Sequence, residues 1–110
     1  MSYQHKNLAA GRWSQMSFVE KMANIGSEVG RALNWKAKNN ISYSQAAFER
    51  AMELMDLTLD STKGFSRLKE VARLREGVAD YFAGEYRFKF TEESLNKYFF
   101  NFIFAARKNR

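Results

Sequence analysis

The chain has 110 residues, 18 Lys or Arg against 12 Asp or Glu for a formal charge of +6, 45% hydrophobic residues, and neither cysteine nor proline. This length suits one domain around one core, and the absence of cysteine excludes a disulfide framework, a thiol nucleophile and a cysteine-ligated metal, as expected of a reducing, cytoplasmic setting. The positive balance favours an acidic partner, nucleic acid ahead of an anionic membrane. No membrane span is expected: the N-terminal MSYQHKNLAAGRW lacks the apolar run of a secretory signal, and YFFNFIFAA is roughly half of the about 20 residues a spanning helix needs.

Residues 1–13 are small and polar and read as a flexible arm, with the helical domain over 14–110. Ser17 and Glu20 form a capping-box pattern at the start of a helix over 17–38, whose stripe is Phe18, Met22, Ile25, Val29, Ala32 and Leu33. Gly26 and Gly30 on this helix point to close packing against a neighbour. Asn39 and Asn40 tolerate left-handed backbone and end it. Ser42 and Gln45 repeat the capping pattern before a helix over 43–59 that turns Ala47, Phe48, Ala51, Leu54, Met55 and Thr58 inward.

After the turn DSTKG, a third helix over 65–83 places Phe65, Leu68, Val71, Ala72, Val78, Ala79 and Phe82 inward. Arg75 lies on that stripe, and a guanidinium there needs an acid, Glu53 or Asp56 of the second helix. The loop GEYRFKF follows, and Thr91, Glu92 and Glu93 open the last helix as the helix dipole prefers. Four helices with short connections predict an all-α, up-and-down four-helix bundle.

In the last helix Leu95, Tyr98, Phe99, Phe102 and Ala106 share one face, while Phe100 and Phe104 form a second apolar pair with Ile103 between the two sets. A bundle monomer offers each helix one inward face. Phe100, Ile103 and Phe104 therefore mark a homo-oligomer or partner interface, unless the GEYRFKF loop or the arm, through Tyr3, Leu8 or Trp13, folds over them.

No residues assemble into a catalytic set. The single histidine, His5, sits in the arm, where nothing holds it for acid–base work, and the Arg and His pair of the HEPN ribonucleases is missing near the last helix. Glu49, Glu53, Asp56 and Asp60 line one face of the second helix, but the Glu-x-x-His partners of a bundle metal site are absent, so neither metal nor cofactor is expected. Neither GxGxxG nor a Walker loop occurs.

Basic residues interleaved with aromatics remain. Alternating helix directions gather Lys36, Lys38, Arg87 and Lys89 at one end and Arg12, Lys63, Arg67, Arg107, Lys108 and Arg110 at the other. Rings beside cations suit single-stranded or looped RNA, which offers unpaired bases for stacking and phosphates for charge. The competing reading is that these rings plug the core and the charges only solubilise it.

Residues 24–56 resemble one tetratricopeptide unit, with Ala32, Trp35, Ser44, Phe48 and Ala51 at its small and aromatic positions and departures at Glu28, Arg31 and Asp56. This implies a helical hairpin and an adaptor role, docking a partner protein through the aromatic last helix. The segment RLKEVARLREGVADYFAGE before that helix, in a short basic cysteine-free chain, resembles the small bundle proteins related to the rRNA intervening-sequence protein and to the accessory variability determinant (Avd) of diversity-generating retroelements. That resemblance implies a non-catalytic accessory protein, a homo-oligomer that binds RNA or a nucleic-acid enzyme such as a reverse transcriptase.

Overall fold

The structure is a computed structural model that describes residues 9–108. His5, Tyr3, Leu8 and Arg110 lie outside the described residues. After a π-helical turn, Ala9–Trp13, come four helices: α1 (Phe18–Ala37), α2 (Ile41–Ser61), α3 (Phe65–Ala83) and α4 (Glu92–Lys108). No strand occurs among the described residues, and no helix among them is long and apolar enough to cross a membrane.

Local chemistry accounts for the helix ends. Ser17 and Glu20 form the expected capping box: the Glu20 N–H donates to Ser17 Oγ at 3.1 Å and the Ser17 N–H donates to Glu20 Oε1 at 2.9 Å. Hydrogen bonding to Ser17, from its backbone N–H first and its side chain second, lowers the pKa of the Glu20 carboxyl. Asn39 takes the left-handed conformation, φ 63°, and ends the first hairpin turn. The cap of α2 differs from expectation. Asn40 Oδ1 accepts from the Tyr43 N–H at 3.1 Å, so the helix starts at Ile41 and Ser42 becomes its exposed second residue. Thr91 and Ser94 cap α4 reciprocally, at 2.8 and 3.0 Å.

α1 is the centre of the assembly, packed against α2 on one side and α4 on the other, while α3 packs chiefly on α2. Met22, Ile25, Val29 and Leu33 of α1 meet Ala51, Leu54 and Met55 of α2, Val71, Leu74 and Val78 of α3, and Leu95 and Phe99 of α4 in one core. The α1–α4 contact depends on Gly26, where an added Cβ would stand 2.7 Å from Phe99 Cβ; Gly30 faces open space instead.

Three expectations need correction. Trp13, assigned to the arm, is a core residue: it is buried, and its Nε1–H donates to Thr58 Oγ1 at 3.1 Å while Thr58 in turn donates to the Leu54 carbonyl. Phe65 is 80% exposed because it opens α3, before the helix has reached its neighbours. Leu74 is buried on α3, and Arg75 sits at the edge, with its side chain 36% exposed.

Candidate nucleic-acid interface

The first cationic group forms around the end of α1 and the 84–91 loop. The two-asparagine turn brings Tyr43 edge-on to Trp35, with ring centroids 4.9 Å apart, and Lys38 Nζ lies 5.3 Å from the Trp35 ring. Lys36 Nζ lies 5.7 Å from the ring of Tyr81 on α3. Tyr81 meets Tyr86 of the loop edge-on at 5.6 Å and Phe82 at 5.4 Å, and Phe82 continues to Phe48 at 5.0 Å. Burial, helped by Tyr86 and Glu92 nearby, raises the Tyr81 pKa above the usual tyrosine value. Tyr81 therefore stays neutral beside Lys36.

Asp80 organises the loop. Its buried carboxylate accepts the backbone N–H of Arg87 at 3.0 Å and of Phe88 at 3.1 Å, charge-assisted bonds that fix the chain reversal. Further on, the Phe90 ring covers Gly77, where an added Cβ would stand 2.0 Å from it. Between these anchors Tyr86 and Lys89 adopt left-handed backbone, φ 56° and 58°, and Tyr86, Arg87 and Lys89 are exposed. Arg87 pairs with Glu85 at 3.2 Å, an exposed bridge of little energetic weight.

The second group is looser, and the structure divides it. Arg67 lies 4.7 Å from the Phe18 ring, which meets Phe102 edge-on at 6.2 Å, so the starts of α1 and α3 adjoin the latter half of α4. Lys63, Arg107 and Lys108 are exposed. Arg107 borders a groove of about 540 Å³ between α1 and α4 that also contains Val19, Ala23, Ile103 and Ala106. Lys21 is buried and donates to Ser61 Oγ at 2.8 Å; burial lowers its pKa.

Arg12 does not join this end. It shares a groove of about 310 Å³ with Glu28, Arg31 and Leu54, beside the buried Trp13. Arg31 and Arg50 each pair with Glu28 at 2.9 Å, an ion cluster that no motif announces. Asp80 is more legible in hindsight: an acid four residues before a helix-ending glycine can reach the N–H groups of the following loop.

The acidic face of α2 is divided as well. Asp56 Oδ1 accepts from Arg75 Nε at 2.6 Å, Glu49 accepts from Gln45, and Glu53 is buried. Among the described residues no group of His, Cys, Asp or Glu could hold a metal ion. On α4, Phe100 and Phe104 are 59% and 57% exposed, stacked with centroids 6.0 Å apart. Ile103 is partly buried against the core, so it belongs to the inward face more than to this pair. Compared with protein-family models, with curated proteins and with solved structures, the chain finds no match in any of the three.

Proposed function

We propose that this protein is a non-catalytic, up-and-down helical bundle that binds single-stranded or looped RNA at the end formed by α1, α3 and the 84–91 loop. One observation carries the reading: a loop pinned by Asp80 displays Tyr86 beside Tyr81 and Lys36, with Arg87 and Lys89 exposed on the same loop. A base stacks on the free face of Tyr86 while the cations meet neighbouring phosphates. Opposite directions for neighbouring helices are supported by Lys21 meeting Ser61 and by Phe18 meeting Phe102. The narrower role, accessory to a reverse transcriptase, rests on the family resemblance alone.

Fluorescence anisotropy of a labelled single-stranded RNA tests the proposal. Four phosphate contacts would weaken binding about 50-fold between about 50 and 200 mM salt. Tyr86→Ala should cost about tenfold by removing one stacking platform. Absence of binding at the lower salt, or an unchanged affinity in the K36E/K38E/K89E variant, would refute it.

A further inference from the structure

The exposed face of α4 has a pattern that the RNA reading does not use. Glu93, Lys97, Phe100, Phe104 and Arg107 are all exposed and spaced four, three, four and three apart, which places them in one stripe along the helix. The stripe is centred on Phe100, with an acid seven residues before it and a base seven residues after it. Neither Glu93 nor Arg107 has an ion pair among the described residues. Such a stripe is complementary to itself when reversed.

We infer that α4 pairs antiparallel with α4 of a second copy of this chain, with Phe100 on the two-fold axis. In this register Glu93 of each copy faces Arg107 of the other, Lys97 lies along the Phe104 ring of the other, and the two Phe100 rings meet at the centre. A two-fold interface uses the same patch on both copies, and this stripe meets that condition. Parallel pairing would set Glu93 against Glu93 and Arg107 against Arg107. The charges thus select the antiparallel arrangement as well as the partner. Antiparallel pairing also brings Arg107 and Lys108 of one copy toward the Arg87 and Lys89 loop of the other, because that loop leads directly into the start of α4.

This inference rests on the exposed face of α4 and not on RNA binding, and its test separates the two. Light scattering coupled to size exclusion should give twice the 12.8 kDa chain mass at about 100 µM. F100S/F104S should give the single-chain mass with unchanged helical circular dichroism, since both rings are already exposed in the single chain, while still binding RNA at the Tyr86 end. E93R alone should raise the dimer dissociation constant about tenfold, and E93R/R107E should return it to within about threefold of the parent. A single-chain mass for the parent protein would overturn the inference and leave this face to a different partner. A dimer that survives F100S/F104S, or a double charge exchange that fails to restore association, would overturn it equally.

Discussion

Phe99 and Phe100 are neighbours in sequence with opposite fates: Phe99 is 2% exposed and Phe100 is 59% exposed. Both belong to the same helix and carry the same side chain, so neither propensity nor hydrophobicity separates them. The difference lies on α1, where Gly26 leaves room for the Phe99 ring to approach the helix backbone. One face of α4 therefore holds the fold together, and the other is left exposed.

The sharpest test of this contrast replaces each ring in turn. Phe99→Ala should cost about 3–5 kcal/mol, through lost burial and the cavity left behind, whereas Phe100→Ala should change the stability of the single chain by less than about 0.5 kcal/mol. Urea unfolding at a concentration where the chain is monomeric measures both, and similar losses would break the distinction. A smaller effect is expected at the other side of the contact. Gly26→Ala adds a methyl that meets Phe99 near its Cβ, which cannot swing aside, so α1 and α4 must separate. Overpacking of about 1–3 kcal/mol, partly offset by about 1 kcal/mol of helix propensity, leaves a net loss of about 1 kcal/mol. Stabilisation instead would mean that the two helices are not in close contact.

An effect of similar size, but dependent on pH, concerns the rim of the buried face. Burial and then the hydrogen bond to Glu70 raise the Tyr98 pKa well above the tyrosine value. The unfolded chain releases this proton first, so the contribution to stability is complete below the ordinary value of about 10 and is lost as pH rises from there toward the folded pKa. Tyr98→Phe should lose about 1 kcal/mol at neutral pH and show a shallower decline at alkaline pH. Identical alkaline slopes for the two proteins would refute the coupling.

Much of the α1–α2 hairpin was legible because its signals are local. The Ser17 and Glu20 capping box and the left-handed Asn39 involve residues within one turn of one another. Periodicity also separated Phe99 from Phe100. Reading failed where two local solutions competed or where a distant residue decided. Asn40 and Ser42 are both good caps, and the turn geometry after Asn39 favours the first. Phe65 fits the periodic stripe but opens its helix, and no pattern within α3 shows where the neighbouring helices end. The burial of Trp13 requires Thr58, 45 residues away. At the candidate RNA site, the alternation of rings and cations in EYRFKF was visible, but its attachment to Asp80, Gly77 and Tyr81 was not.

By itself the sequence determined four amphipathic helices, most of their boundaries, the basic balance and the surplus of aromatic rings on α4, because a helix and its stripe depend on residues three and four apart. The tertiary structure alone decided that Arg12 leaves the basic end, that Arg75 meets Asp56 of the two acids the sequence offered, that the 84–91 loop displays Tyr86, and that Phe100 and Phe104 remain uncovered among the described residues. Each of these depends on which surfaces meet across the bundle. A contact between distant residues follows from shape and charge in three dimensions, which no spacing along the chain encodes.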